Sequence, residues 1–530
     1  MSIMKHFNIT FRPDGRQITI HAGATLVEAA GQAGIVLNTA CGEKGTCGKC
    51  AVNIEPAGRS VLACQYHIQS DLTVTIPPES RLFEHKILKH GIDVLKKIQP
   101  LGRLEHADAK EKIFGLAVDI GTTTVVAKLI DMTTGQCAAT EAAVNPQVRY
   151  GDDVISRIAY AQTDEKLLEL HKVIIDCINK LTAKLCDTAA IAAKQILQMC
   201  VVGNTTMNHI FLKLPIKQLG QAPYRAFSVD AKDVSSNDLS LQINPTGKVH
   251  TVENIAGFVG SDTTAVALAV DVDSAEEMTL VVDIGTNGEI VLGTKNKLYA
   301  ASCAAGPALE GARITYGSRA VEGAIEAVVA NEEGITVDVI GNCPPRSICG
   351  SGLIDAVAVL LNLGVIDSSG RLLEPQMLEI RLPRAILSRM VEHDDQPAFV
   401  IAYSSNDSKP VVLTQRDIRQ MQLAKAAIRA GIRLLQKKFN IDDSGIKHIF
   451  LAGAFGNYIR PESALRTGLL PNVPIERIHF VGNAASSGAQ MILLSSYYRS
   501  LSKKLARKIE YIEIANEKDF ASVFADCMLF

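Results

Sequence analysis

The chain opens on strict alternation. Residues 5–11 (Lys-His-Phe-Asn-Ile-Thr-Phe) and 16–21 (Arg-Gln-Ile-Thr-Ile-His) switch between apolar and polar at a period of two, with Pro13-Asp14-Gly15 between them. Two such runs around a Pro-Asp-Gly turn predict a β-hairpin. The period then changes. Thr25 and Glu28 form a capping-box pair, which opens a short helix with Leu26, Ala29 and Ala30 on one face. Strands are predicted again over 50–55 and 71–77. The order ββαββ predicts a β-grasp unit over residues 1–78.

From residue 113 the apolar runs are heavier. Ile113-Phe-Gly-Leu-Ala-Val leads into Asp119-Ile-Gly121-Thr122-Thr123-Thr124, and a second apolar run follows. Thr279-Leu-Val-Val leads in the same way into Asp283-Ile-Gly285-Thr286-Asn287-Gly288-Glu289. Each reads as buried strand, tight turn and second strand. The 164-residue separation of the two copies indicates two similar domains, 113–277 and 278–530. Between the patterned regions, residues 79–112 are polar and weakly amphipathic, interrupted by Pro100 and Gly102. They predict a solvated tether.

Composition narrows the picture only slightly. The 530 residues are 47% hydrophobic and 21% charged, an ordinary globular balance. The length suggests three or four domain-sized units. A net charge of −2 carries no footprint for nucleic acid. The start reads straight into a strand, and no apolar run reaches about 18 residues. The expectation is a cytoplasmic protein with no membrane partner.

The repeated turns carry readable chemistry. Gly121 and Gly285 let backbone N–H groups approach phosphate oxygens, and Thr122, Thr123, Thr286 and Asn287 add side-chain donors. Asp119 and Asp283 are placed to hold Mg²⁺ through its waters. A strand over 448–452 runs into Gly453-Ala-Phe-Gly456-Asn457, and Val481-Gly482-Asn483 opens a further helix. These two loop-and-helix starts are expected to enclose an adenine ring. Cys200-Val-Val-Gly203-Asn204 and Ile348-Cys-Gly350-Ser351-Gly352 predict the strand-to-helix joins of each half.

The 12 cysteines are unevenly spread. Eight are scattered and are expected to be mostly buried, reduced thiols. Four cluster: Cys41-Gly-Glu-Lys-Gly-Thr-Cys47-Gly-Lys-Cys50, then Cys64. A zinc ribbon would show two C-x2-C pairs, and only Cys47/Cys50 has that spacing. The C-x5-C-x2-C loop resembles vertebrate-type and bacterial 2Fe–2S ferredoxins, with a gap of only 13 residues before Cys64. The resemblance implies a cluster held by Cys41, Cys47, Cys50 and Cys64.

Residues 113–495 resemble the ATPases of the sugar kinase, chaperone and actin superfamily. The fusion of the two modules resembles the reductive activators of corrinoid-dependent methyltransferases. Segments 144–157, 304–311 and 414–422 resemble signatures of that family. The implied fold class is α+β multidomain: a β-grasp 2Fe–2S ferredoxin followed by a duplicated actin- and sugar-kinase-like α/β ATPase. The implied cofactors are the 2Fe–2S cluster, ATP and Mg²⁺. The implied partners are a corrinoid protein and an external electron donor, a ferredoxin or flavin reductase. A homodimer is the default arrangement, although no residue argues for it. The chain's length suggests that the middle domain of some family members is reduced or missing. Two other readings stay open: a small-molecule kinase using Asp152 or Asp153 as base, with a redox sensor attached, and a redox-gated nucleotide-binding module.

Overall fold

The computed structural model describes residues 5–13, 15–33, 35, 37, 45, 50–56, 58–77, 80, 92, 94, 112–151, 153–285, 287–331, 334–403, 409–453 and 459–530. The N-terminal hairpin is β1 (His6–Arg12) and β2 (Arg16–His21), paired antiparallel. Helix α1 (Leu26–Gln32) starts at the capping box. The Thr25 N–H donates to Glu28 Oε2 at 2.6 Å, and the Glu28 N–H donates back to Thr25 Oγ1 at 3.1 Å. Leu26, Ala29 and Ala30 are fully buried, as their spacing requires. Strands β3 (Ala51–Glu55), β4 (Arg59–Leu62) and β5 (Leu72–Thr75) complete a sheet of order β2-β1-β5-β3-β4. The expected ββαββ order therefore gains a strand, β4, which is the returning arm of the short hairpin before Cys64.

The tether expectation needs correction where residues are described. Val94 is buried and Ile92 packs beside it, both in the core shared by the two later sheets. Near its N-terminal end, the Ser80 hydroxyl donates to the Ala51 carbonyl. Two apolar residues two positions apart anchor the connector. The rest of 79–112 lies outside the described residues.

Strands β6 (Phe114–Ile120), β7 (Thr124–Asp131), β8 (Cys137–Val144), β9 (Ile196–Gly203), β10 (Lys232–Ser235) and β11 (Lys248–Thr251) form a mixed sheet of order β10-β11-β9-β6-β7-β8. Strands β12 (Thr279–Ile284), β13 (Gly288–Thr294) and β14 (Lys297–Cys303) begin the second large sheet. Two three-stranded sheets follow: β15 (Ala324–Asn331), β16 (Gly334–Val339) and β17 (Ser347–Ile348), then β18 (Met390–His393), β19 (Gln396–Ala402) and β20 (Val411–Thr414). Strands β21 (His448–Ala452), β22 (Ile478–Gly482) and β23 (Ile509–Tyr511) return to give the order β22-β21-β12-β13-β14-β23. In both large sheets the first two repeat strands pair antiparallel, with a parallel neighbour on the other side of the first.

The helices form three layers around these sheets. Outside the first sheet lie α2 (Val154–Tyr160), α3 (Asp164–Ala189) and α4 (Thr205–Phe211). Between the sheets lie α5 (Ser261–Ala269), α8 (Ala484–Leu494) and α9 (Ser496–Lys508). Beyond the second sheet lie α6 (Gly350–Asn362), α7 (Gln415–Phe439) and α10 (Phe520–Met528). Helix α8 comes late in the chain yet packs on β6 and β9. The 277/278 division thus separates the sheets but not the shared helical layer.

Strand parity sets which way the site faces. Leu116, Val118 and Ile120 point to the outer core, while Ala117 points to the shared layer. Leu280, Val282 and Ile284 point outward, and Val281 points to the shared layer. Side chains alternate along a strand. Asp119 and Asp283 therefore share the parity of Ala117 and Val281, and both turn toward the layer between the sheets.

Candidate functional site

The cleft between the sheets has a volume of about 440 Å³. Asp119, Gly121, Thr122, Thr123, Gly285, Asn287 and Gly453 all line it. Of the other anticipated nucleotide residues, Thr286, Gly456 and Asn457 lie outside the described residues.

The first loop is tightly wound. The Gly121 N–H donates to the Thr124 carbonyl at 3.0 Å. A Cβ at Gly121 would stand 2.7 Å from that oxygen, too close for any side chain. Asn204 caps α4 by accepting from the Met207 N–H at 2.9 Å, and its Nδ2 donates to Thr122 Oγ1 at 3.0 Å. The predicted strand-to-helix join thereby braces the loop. From the other half, Glu310 Oε2 accepts from Thr123 Oγ1 at 3.1 Å. In the second loop the Gly285 N–H donates to the Asn287 carbonyl at 2.9 Å, with a looser fit around the glycine. Gly453 has φ +92°, and a Cβ there would meet Asp283 Oδ1 at 2.5 Å. Only glycine fits that position.

Six carboxylates line the cleft, and four of them are pushed up by burial. Burial, followed by repulsion from Asp262, pushes the Asp119 carboxyl up to about 7, against a hydrogen bond from Asn483 Nδ2 at 3.0 Å. Burial, then Asp262 and Asp119, pushes Asp283 up to about 7. Burial raises Asp262 to about 6, against hydrogen bonds from Thr263. Glu289, opposite Asp283 in the β12/β13 register, is raised well above its ordinary value by burial and both neighbouring aspartates. Lys128 is the basic group acting on Asp119. Such a cluster repels itself when ionised and gains most from a cation.

Among the described residues, no three His, Cys, Asp or Glu side chains come close enough to enclose a metal ion directly. Mg²⁺ keeps several of its waters and is shared with substrate phosphates. The chemistry of the donor set fits: hard, anionic oxygens facing two N–H-rich turns.

Sequence reasoning missed Asp262 and assigned no role to Glu289 or Glu310, and it expected Asn483 at the adenine ring, whereas its side chain donates to Asp119. Glu289 had a usable signal, since its parity from Asp283 places it on the same face. Asp262 reaches the site on α5, and no local pattern announced that. Of the kinase-base candidates, Asp153 caps α2 by accepting from the Ser156 N–H at 2.7 Å, and Asp152 lies outside the described residues.

In the N-terminal unit, Cys50 and Cys64 are both buried, with sulfurs 3.3 Å apart. Neither is in a disulfide. Gln65 Nε2 sits 3.7 Å from the Cys64 sulfur. The short hairpin of β3 and β4 brings the two cysteines together despite the trimmed gap. Cys41 and Cys47 lie outside the described residues. Of the eight scattered cysteines, six are buried, Cys343 is half-buried and Cys137 is exposed. Burial pushes the Cys200 thiol up to about 12, an inert state.

Comparison with known proteins assigns all three parts. Residues 7–77 match a 2Fe-2S iron-sulfur cluster binding domain. Residues 114–275 match the RACo middle region, and residues 277–530 match the C-terminal domain of RACo, the ASKHA domain. The expected loss of the middle domain is thereby overturned: the first half of the duplicated unit is that region. The chain is 35% identical to the corrinoid activation enzyme RamQ of Eubacterium limosum, across 96% of each chain. It is 24% identical to a Methanosarcina barkeri [Co(II) methylated amine-specific corrinoid protein] reductase, over 78% of this chain and 76% of that one. A solved reductive activator for corrinoid, iron-sulfur protein superposes with a TM-score of 0.71 at 32% identity, covering 99% of this chain and 98% of that one.

Proposed function

The chain belongs to the family of ATP-dependent reductive activators of corrinoid proteins, and we propose how its residues perform that reaction. The protein returns a corrinoid partner from Co(II) to Co(I), using ATP and a 2Fe–2S cluster. The observation carrying the assignment of roles is the convergence of Asp119 and Asp283 across the cleft, each beside a glycine turn.

Nucleotide phosphates occupy the space between the two turns. Gly121, Thr122, Thr123, Gly285, Thr286 and Asn287 supply donors to them, and Gly453, Gly456 and Asn457 flank the nucleoside. Asp119 and Asp283 would hold Mg²⁺, with the charge of Asp262 and Glu289 adding to theirs. When bound, Mg²⁺ neutralises phosphate charge and polarises the transferred group. Asn483 orients Asp119, and Asn204 orients Thr122. The Thr123–Glu310 contact joins the halves at the point where phosphate enters, so nucleotide binding and closure are read by the same residues.

Cys41, Cys47, Cys50 and Cys64 would hold the cluster, which when bound supplies one-electron transfer. A plant-type ferredoxin cluster sits near about −400 mV, and each ~59 mV of uphill one-electron transfer costs a factor of ten. ATP-driven closure supplies work that such a cluster lacks, by stabilising a docked complex in which the cobalt has shed an axial ligand. Electrons arrive from an external ferredoxin or flavin reductase, and the working assembly is a homodimer in the cytoplasm. No helix among the described residues is long and apolar enough to cross a membrane.

Anaerobic reduction of Co(II) corrinoid protein, followed by absorbance, tests the coupling. The rate rises on adding Mg²⁺ and ATP; equal rates with and without ATP would sink it. For the ligands, Cys64→Ser is expected to change the cluster's visible spectrum, and a native spectrum would remove Cys64 from the set.

A further inference from the structure

No described residue of the segment 145–157 lines the cleft, yet the segment holds the first phosphate loop by three consecutive carbonyls. Asn145 Nδ2 donates to the Gly121 carbonyl at 2.9 Å. The Arg157 guanidinium donates to the Thr122 carbonyl at 2.5 Å. The Asn145 backbone N–H donates to the Thr123 carbonyl at 2.8 Å. Asn145 and Arg157 are both fully buried. In a trans peptide the C=O and the following N–H point in opposite directions. Tying back the carbonyls of Gly121, Thr122 and Thr123 therefore fixes the N–H directions of Thr122, Thr123 and Thr124, three residues that line the cleft.

We propose that Asn145 and Arg157 are positioning residues for the reaction, a buried clamp that aims the first loop's N–H groups at nucleotide phosphate. The proposal rests on the reading that ATP occupies this cleft.

The clamp is itself held rigid. Asn145 caps a short 3-10 turn at Pro146–Tyr150, accepting from the Gln147 N–H at 3.0 Å. Gln147, also fully buried, accepts from Arg157 at 3.2 Å and donates to the Leu170 carbonyl of α3 at 3.0 Å. Arg157 Nε donates to the Gly151 carbonyl at 2.9 Å. With the Met207 sulfur 3.2 Å from Nη1, the guanidinium thus spends its planar fork on four separate acceptors, a task a lysine ammonium cannot match in geometry. Its charge also lies directly beneath the loop, where it favours an anion above.

The test measures Mg²⁺-ATP affinity of the full-length, cluster-loaded protein by calorimetry. Asn145→Asp keeps the size and the cap acceptor but turns an oxygen toward the Gly121 carbonyl. We expect about 10- to 100-fold weaker binding, the range for a lost charge-assisted or buried hydrogen bond. Arg157→Met is expected to lose as much, with Arg157→Lys recovering part of the loss. If Arg157→Met does not fold, Asn145→Asp and Arg157→Lys decide the question. Wild-type affinity in the folded fraction of both would overturn the clamp, leaving those residues merely structural, while the ATP reading stands. No binding by the wild-type protein would overturn the reading and the clamp together.

Discussion

The two Asp-Ile-Gly-Thr turns are close copies in sequence, yet their surroundings differ. The first is wound so tightly that Gly121 has no room for a Cβ. Its carbonyls are held from behind by Asn145 and Arg157, and its Thr122 is braced by Asn204. At the second, a Cβ on Gly285 would meet nothing closer than 3.6 Å. There the crowding falls on the aspartate instead, with Gly453 pressed against Asp283 and Glu289 opposite it. The difference teaches that duplication supplied two like turns, and packing assigned them unlike work. The first turn is held rigid from behind, and the second forms one wall of the acidic pocket, the arrangement on which their proposed phosphate and cation roles rest.

The comparison breaks most sharply at the aspartates. Asp119→Asn and Asp283→Asn are each expected to lower ATP-dependent corrinoid reduction by about 100- to 1000-fold, the scale of removing a preorganised electrostatic group. In the nucleotide-free protein the same changes relieve repulsion, so melting temperatures at about pH 8 should rise, more for Asp283→Asn because Asp119 has the Asn483 hydrogen bond. Falling melting temperatures for both would remove the acidic-pocket reading.

The glycines come next. Gly121→Ala should weaken Mg²⁺-ATP binding by about 10-fold or more, since a 2.7 Å contact with backbone forces the turn open. Gly285→Ala should cost roughly threefold or less. Equal losses would mean that the two turns are equivalent after all.

Protons give a smaller, graded signal. A carboxyl with a folded pKa near 7 keeps a proton that the unfolded chain, near its ordinary 3.8, has already released. The folded state then binds more protons, so nucleotide-free stability should fall as pH rises from about 4 to about 7. Mg²⁺ and nucleotide should flatten that slope and release protons near pH 6.5, read by calorimetry in buffers of different ionisation enthalpy. Pure proton uptake would contradict it. The smallest effect is expected at Glu310→Gln, which keeps an acceptor for Thr123 but removes a negative charge from the phosphate path. Nucleotide binding should tighten by about threefold, an effect that shrinks at high salt.

Much of this was legible in the chain itself. The alternation of residues 5–21, the Thr25/Glu28 capping box and the cysteine spacing predict the N-terminal unit, because hairpins and caps are local and depend on neighbours in sequence. The repeat of Asp-Ile-Gly-Thr predicts two alike sheets, and strand parity already turns Asp119 and Asp283 the same way. Less legible was β4, too short and polar to show a period. The anchoring of Ile92 and Val94 was also hidden, because two apolar residues in a charged stretch look solvated until a core is there to receive them.

What the sequence determined by itself was local: which residues turn, cap, alternate and carry thiolate or carboxylate chemistry. Tertiary structure alone decided what those residues meet. It placed Asp262 from one helix and Glu289 from a strand against the two aspartates, brought Glu310 to Thr123 across 187 positions, and set Arg157 beneath a loop 35 residues earlier. Those contacts depend on two sheets closing on a shared helical layer, and no periodicity along one chain encodes the distance between its far ends.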